Sequence, residues 1–235
     1  MFKNIILKFT IKKCIPIHPP LSLTKYSTQS NTSSISSNIP FNYDISAESH
    51  HYTDVFLRDM TIVPDFISET EENALFDEAQ TDLRSKRYEY DHWDDAIIGF
   101  RELERLQWNT ENQKIIERVR KFAFPPSCGL IHHVHVLDLH ESGYIKPHVD
   151  SVKFCGNTIA GISLLSDSIM RLIMEENKSI KLDVLLPRRS LYIMRDDVRF
   201  KFTHEILKKD ESVFKGMKID RGRRISIICR NEVSN

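Results

Sequence analysis

Three side chains that bind metals well stand at two separate places in the sequence, His148 with Asp150 and, far downstream, His204. His148 and Asp150 are two residues apart, so on an extended segment both side chains point to the same side and could meet one ion. His204 lies within the run FKFTHEI, on a predicted strand face with three apolar neighbours. These neighbours are Phe200, Phe202 and Ile206. A histidine on such a face is either a core residue or a ligand.

Neither the His-x-Asp pair nor the single histidine is specific alone, but together they supply two imidazoles and one carboxylate. This set binds one face of Fe(II) and leaves three coordination positions open. Zinc competes for the same ligands, although catalytic zinc usually keeps four-coordinate geometry. The choice of metal therefore depends on what else binds at the site.

The last predicted strand, residues 224–230, carries two arginines on one face. Alternation places Arg224, Ser226, Ile228 and Arg230 on that face, and the other face is apolar. A strand buried on both sides does not hold guanidinium groups without anionic partners. Because guanidinium binds carboxylate in a forked pair, a small dicarboxylate beside the metal is such a partner.

The elements that must position these residues are two helices followed by a series of strands. Ser68 with Glu71 and Thr110 with Gln113 are capping-box patterns, each followed by apolar residues at helical spacing. A break is predicted from Gly143 to Pro147. Strands are predicted at 131–139, 159–165, 169–174, 180–186, 191–194, 200–206 and 224–230. The fold class is therefore mainly β with flanking helices, a double-sheet jelly roll.

The His-x-Asp pair, the distal histidine, an arginine twenty residues later and a second arginine six further on resemble the AlkB family of 2-oxoglutarate dioxygenases. The stretches GYIKPHVDSVKFCGNTIAGISLL, SLYIMRDDVRFKFTHEIL and RRISIICR are particularly similar to a mitochondrial branch of that family. The likeness covers roughly residues 55–230 and implies the double-stranded β-helix fold. It also implies the cofactors, Fe(II) and 2-oxoglutarate, with O2 as the second cosubstrate.

The resemblance assigns roles to seven residues. His148, Asp150 and His204 are the expected metal ligands, and Arg224 is expected to pair with the distal carboxylate of 2-oxoglutarate. The expected cosubstrate contacts are completed by Tyr192, by Ser226 and, at the metal-side end, by Arg230. The same branch of the family implies a link to regulated necrotic cell death and fatty-acid metabolism.

The first 45 residues differ in composition from the rest of the chain. They are rich in Lys, Ser and Thr, and the first acidic residue is Asp44. This composition predicts a mitochondrial transit peptide and disordered tail over residues 1–45, a dioxygenase domain over 46–235 and a location in the matrix. The alternative is a disordered tail that carries no targeting signal. No apolar run is long enough to span a membrane, and four scattered cysteines indicate a reduced, intracellular protein.

The charge of the body bears on the substrate. The chain has 33 basic and 33 acidic residues, and five of the lysines precede Asp44, so the remainder is mildly acidic. This favours a protein or small-molecule substrate over duplex DNA. The segment before the His-x-Asp pair has aromatic residues that could stack a base but also acids that would repel phosphates. It includes Tyr88, Tyr90, Asp91, Trp93, Asp94 and Asp95.

Two further functions remain open at this point. One is a demethylase that acts on a flipped base of mitochondrial RNA, and the other is a metal-binding jelly-roll module without turnover. Three nearby histidines, His132, His133 and His135, are interpreted as ordinary strand residues rather than as a second metal site. Cys155 is interpreted as a small buried hydrophobic residue rather than a redox-sensitive neighbour of the iron.

Overall fold

A computed structural model describes residues 39–90 and 96–233 of the chain. These residues form twelve strands, four α-helices and a short 3-10 helix, Ala47–Tyr52. The helices are α1 (Thr53–Asp59), α2 (Glu69–Leu83), α3 (Thr110–Ala123) and α4 (Asp196–Lys201). The strands are β1 (Tyr43–Ile45), β2 (Met60–Val63), β3 (Ile97–Arg105), β4 (Val134–His148), β5 (Thr158–Leu164), β6 (Ser168–Met174), β7 (Lys181–Leu186), β8 (Leu191–Arg195), β9 (Phe202–Ile206), β10 (Val213–Phe214), β11 (Met217–Lys218) and β12 (Arg224–Arg230).

The long strand β4 divides one ten-stranded antiparallel sheet into two parts, which are called the two sheets below. Its first half pairs antiparallel with β12, with Leu139 opposite Arg224, and its second half pairs with β9, with His148 opposite His204. The strand order is β1-β7-β6-β9-β4-β12-β5-β8-β2, and β3 adds to the edge of β4. The predicted double-sheet, mainly β architecture with flanking helices is thus confirmed.

The main apolar core lies between the two sheets. Its buried side chains come from both of them, for example Leu172 and Phe202 on one side and Leu137 and Ile228 on the other. A second core packs α2 and α3 against the outer face of β5, β8 and β12. Alternation in β12 explains how this strand serves both cores. Ile225, Ile227 and Cys229 join the outer core, so the intervening side chains must point inward.

A bulge in β4 allows the strand to change sheets. The pairing with β3 shifts between Ile98 and Phe100, where Gly99 has a φ of 67° and a Cβ added to it would lie 2.9 Å from the Cα of Gly143. A Cβ on Gly143 would collide with the carbonyl oxygens of Ile98 and Gly99. The buried guanidinium of Arg221 also donates hydrogen bonds to the carbonyls of Glu141 and Gly143. The break predicted from Gly143 to Pro147 is therefore wrong, because the strand continues through it to His148.

Three other sequence expectations need correction or extension. Phe200 does not share a strand face with His204, because it lies in α4 and its side chain is exposed. The N-cap of α3 is Asn109, whose side chain accepts a hydrogen bond from the Asn112 amide, and not Thr110. The strands β1, β2, β3, β10 and β11 and the helices α1 and α4 were not identified from the sequence. The capping box of Ser68 and Glu71 at α2 is confirmed.

The N-terminal segment lies mostly outside the described residues. β1 pairs with β7 just before residue 46, where the domain was predicted to begin. The division into a transit peptide over 1–45 and a domain over 46–235 stays a prediction. Within the described ranges, none of the helices has the length and apolar character that crossing a bilayer requires.

Candidate active site

The pairing of β4 with β9 brings the two histidines of the candidate metal site together. His148 and His204 are register partners, and their ring centroids are 4.3 Å apart. Asp150 follows two residues after His148, and its Oδ1 lies 3.4 Å from His148 Nε2. One potential ligand atom from each of the three residues lies within 4.8 Å of the others. This cluster can converge on a single ion.

The protonation states of these residues suit a metal. His148 Nδ1 lies 2.9 Å from the carbonyl oxygen of Lys146. Because a carbonyl oxygen can only accept a hydrogen bond, Nδ1 carries the proton and Nε2 presents its lone pair. Burial, together with the neighbouring His148, lowers the pKa of His204 to about 3. Burial also acts to raise the pKa of Asp150, but the adjacent imidazoles of His148 and His204 and the Arg230 guanidinium outweigh it and lower that pKa. Both residues are thus in the forms that bind cations.

Arg224, the first residue of β12, is a buried cation whose hydrogen bonds are incomplete. It is 2% exposed, and its Nε donates to the hydroxyl of Ser163 at 3.0 Å. Among the described residues its Nη2 has no hydrogen-bond partner and no carboxylate forms an ion pair with it. Burial lowers its pKa. A buried guanidinium with an unused donor is a binding site for an anion.

Tyr192 and Ser226 lie beside this arginine on the inner face of β8 and β12. The Tyr192 hydroxyl is 3.1 Å from Ser226 Oγ, and the Arg224 guanidinium lies 6.0 Å from the centre of the Tyr192 ring. Gly161 of β5 lies under this ring, and a Cβ there would collide with the ring carbon that carries the hydroxyl. The glycine therefore provides the space in which the tyrosine reaches the site.

Arg230, at the other end of β12, contacts His135, which sequence reasoning interpreted as an ordinary strand residue. One guanidinium nitrogen of Arg230, Nη2, lies 2.8 Å from His135 Nδ1. The other ring nitrogen of His135, Nε2, lies 2.8 Å from Glu102 Oε2. No local pattern reveals this arrangement, since Arg230 is 95 residues away from His135 in the sequence.

One cavity between the sheets contains all of these groups. It encloses about 510 Å³ of space without atoms, including its open mouth, and all seven predicted site residues line it together with His135. The rest of the wall is apolar. It consists of Ile97, Leu137, Ile145, Ile159, Met170, Met194, Ile206 and Ile228. The polar groups therefore form two centres, the His148–Asp150–His204 cluster and the Arg224 pocket, within an otherwise apolar chamber.

The residues present fit an iron ion and a 2-oxo dicarboxylate. Two imidazoles and a carboxylate on one side of an ion leave positions for a chelating ligand and for oxygen. The unused donor of buried Arg224 fits a carboxylate at the far end of that ligand.

The aromatic and acidic segment before the His-x-Asp pair is described only in part, because Asp91, Trp93, Asp94 and Asp95 lie outside the described residues. The Tyr88 hydroxyl donates to the buried carboxylate of Asp138 at 3.2 Å, and the ring packs against His140. Tyr90 is exposed. Tyr88 thus packs against residues of β4. Cys155 is buried, as expected, and its Sγ lies 3.1 Å from the side chain of Arg199.

Comparison with known proteins agrees with this site. The chain is 54% identical over 176 residues to the "Alpha-ketoglutarate-dependent dioxygenase alkB homolog 7, mitochondrial" of Mus musculus. The match covers 74% of this chain and 80% of the mouse protein. The Bos taurus protein of the same name is 53% identical over the same shares. No family model matches the chain.

Solved structures share the fold at low sequence identity. OsALKBH1 superposes with a TM-score of 0.54 at 13% identity, over 73% of this chain and 97% of that one. A prolyl-4-hydroxylase of Pseudomonas putida superposes with a TM-score of 0.51 at 11% identity, over 77% and 97%. The identity to the mammalian proteins over 176 residues, together with the jelly-roll fold and the His148–Asp150–His204 cluster, leads to one conclusion. The chain belongs to the AlkB family of Fe(II)- and 2-oxoglutarate-dependent dioxygenases.

Proposed function

We propose that His148, Asp150 and His204 hold the iron of this dioxygenase and that the Arg224 pocket holds 2-oxoglutarate. The observation that carries this proposal is the buried Arg224 guanidinium, which has an unused donor in the same cavity as the three potential ligands. Tyr192 and Ser226 would add neutral hydrogen bonds near Arg224, and Arg230 would serve the end of the cosubstrate that faces the metal.

The chain's own residues bind, orient and shield the reactants. Fe(II) with 2-oxoglutarate and O2 would supply oxidation of a C–H bond, with release of succinate and carbon dioxide. Arg224 anchors one end of the cosubstrate from the side of β12, and the triad fixes the other end from β4 and β9. The apolar wall excludes water from the chamber and keeps the polar contacts strong.

A protein side chain or a small metabolite is the substrate class that the site supports best. The chamber wall outside the two polar centres is aliphatic, so it suits an uncharged aliphatic group with a C–H bond to oxidise. The body of the chain is mildly acidic, which disfavours a polyanion.

A demethylase of mitochondrial RNA is the alternative. It is supported by a more distant relative, a "DNA N6-methyl adenine demethylase" of Caenorhabditis elegans, which is 25% identical over 186 residues. The two substrate classes are distinguished by incubating the iron-loaded protein with methylated RNA and, separately, with mitochondrial protein extract. Loss of base methylation, with RNA binding that weakens steeply with salt, would favour RNA.

The proposed location is the mitochondrial matrix, with residues 1–45 as the import signal. The N-terminus, which is rich in Ser and has no acidic residue before Asp44, supports it, as do the relatives whose names include "mitochondrial". A role in regulated necrotic cell death and fatty-acid metabolism belongs to the same proposal. Fusion of residues 1–45 to a fluorescent protein tests the import step. A fusion that stays outside mitochondria would contradict it.

The metal assignment is tested by Asp150→Ala and His148→Ala. Each removes a potential ligand whose side chain is partly buried at the cavity wall, and we expect loss of iron binding and of succinate release with an unchanged circular dichroism spectrum. Asp220→Ala is the matched control, because that carboxylate is 94% exposed and lies outside the cavity. Turnover that survives both substitutions would show that the ligands are assigned wrongly.

A further inference from the structure

We propose that His135 is a positioning residue that holds the guanidinium of Arg230 against the metal side of the cosubstrate site. The inference rests on the proposed function, in which Arg230 serves that end of 2-oxoglutarate. It adds to the site a residue of β4 that is neither a metal ligand nor a cosubstrate contact. Its action on the site passes through Arg230.

The contact between His135 and Arg230 follows from the strand register. His135 of β4 lies opposite Ile228 of β12, so Arg230, two residues further on the same face, is its diagonal neighbour. His135 Nδ1 and Arg230 Nη2 are 2.8 Å apart, and both side chains line the cavity that contains Asp150. Arg230 also lies 3.7 Å from the half-exposed carboxylate of Glu104, and this ion pair is weak.

Glu102 determines which ring nitrogen of His135 carries the proton. A guanidinium can only donate, so the Nδ1 that faces Arg230 must present a lone pair. The proton of the neutral ring is then on Nε2, which donates to Glu102 Oε2 at 2.8 Å. The carboxylate, imidazole and guanidinium thus form a chain of hydrogen bonds with one consistent direction. In this chain His135 can accept from Arg230 because Glu102 fixes its tautomer.

The hydrogen bond leaves Arg230 with a buried donor that is still unused. Nη2 is engaged by His135 and Nη1 is near Glu104, whereas the buried Nε has no partner among the described residues. A long side chain loses considerable rotamer freedom when it is fixed in one geometry. Because His135 imposes that geometry before a ligand arrives, the cosubstrate meets a guanidinium that is already oriented.

The experiment measures the dissociation constant of 2-oxoglutarate for the Mn(II)-loaded protein by calorimetry, a readout that needs no turnover. His135→Leu removes the acceptor, and we expect binding to weaken about 10-fold, as for loss of one hydrogen bond to a charged group. His135→Asn should retain affinity close to that of the wild type, because its Oδ1 takes the place of Nδ1. His135→Gln places its oxygen nearer to the position of Nε2 and should behave as His135→Leu does.

A double-substitution cycle tests whether His135 acts through Arg230. In an Arg230→Met background the further change His135→Leu should alter the dissociation constant less than 2-fold, because the partner is already absent. His133→Leu, an exposed histidine two residues away, is the matched control. An equal loss in both backgrounds, or a His135→Asn variant as weak as His135→Leu, overturns the proposal. A wild-type protein that fails to bind 2-oxoglutarate would instead overturn the proposed function on which it rests.

Discussion

In the proposed function Arg224 binds the cosubstrate, whereas in the unliganded protein the same residue destabilises the fold. Its charge is buried, its pKa is lowered by that burial, and one of its donors has no partner among the described residues. Without a ligand, such a group destabilises the fold, because it has lost water and gained little in return. With a carboxylate bound, the same group supplies a strong, charge-assisted contact.

Arg224→Met should therefore stabilise the metal-free protein while it abolishes 2-oxoglutarate binding. We expect the free energy of unfolding to rise by about 1–2 kcal/mol, measured by urea denaturation without metal or cosubstrate. Arg195→Met is the contrasting variant, since Arg195 donates to the Ala123 carbonyl at 3.0 Å and its loss should destabilise. If Arg224→Met is less stable than wild type, Arg224 is mainly a structural residue.

His204 gives the metal-free protein a defined pH dependence. Burial lowers its folded-state pKa to about 3, whereas in the unfolded chain it keeps the ordinary histidine value near 6.5. Between these values the unfolded state binds the extra proton, so stability falls as the pH falls. The slope is at most about 1.4 kcal/mol per pH unit.

This dependence is measured between pH 6.5 and about 5, where the unfolded carboxyl groups are still largely ionised. The free energy of unfolding should decrease across this range in the wild type, in the presence of a chelator. His204→Gln should flatten the decrease, and the exposed His133→Gln should leave it in place. A wild-type curve that is flat over this range would mean that His204 is accessible to protons in the folded state.

The site could be anticipated from the sequence wherever its geometry is local. The His148–Asp150 spacing belongs to one short segment at the end of β4, the Arg224–Arg230 alternation belongs to β12, and each pair lines the cavity together. His135 could not be found in this way. It looks like an ordinary strand residue until β4 and β12 are paired, because its partner is distant in the sequence and the register decides the contact.

Secondary-structure elements show the same division between local and long-range causes. The strands β5, β6, β7, β8 and β12 lie within a residue or so of their predicted bounds, because their apolar pattern is a property of the segment itself. The continuation of β4 past Gly143 depends instead on the close approach of Gly99 and on Arg221, which no local pattern contains. The strand β3 is likewise defined by its pairing with β4.

The start of α3 can be used to test whether a local side-chain contact stabilises the end of a helix. The Asn109 side chain accepts a hydrogen bond from the Asn112 amide at 2.9 Å, so Asn109 is the cap and Thr110 is the first helical residue. Asn109→Ala should lower the free energy of unfolding by about 1 kcal/mol. Thr110→Ala, the adjacent control, should change it by less than about 0.5 kcal/mol. Chemical denaturation of the two variants distinguishes the assignments, and the reverse order would restore Thr110 as the cap.

At the scale of the whole molecule, the bound cofactors would join the two sheets. His204 belongs to the sheet of β6, β7 and β9, whereas Arg224 and Tyr192 belong to the sheet of β12, β5 and β8. β4 carries His148 and is shared between them. A metal held at β4 and β9, together with a cosubstrate anchored on β12, would therefore connect elements that otherwise meet through β4 and the apolar core.

Ligand binding should accordingly raise the thermal unfolding temperature in two separable steps. Each ligand at 100 times its dissociation constant adds about 2.7 kcal/mol, which corresponds to about 5–10 °C for a domain of this size. Mn(II) alone should give the first step and 2-oxoglutarate the second. Arg224→Met should keep the first step and lose the second. Asp150→Ala should lose both steps, because without the metal the cosubstrate also loses the contact that it makes by chelation. A second step that persists in Arg224→Met would place the distal carboxylate of 2-oxoglutarate on another residue and leave the buried guanidinium without its proposed partner.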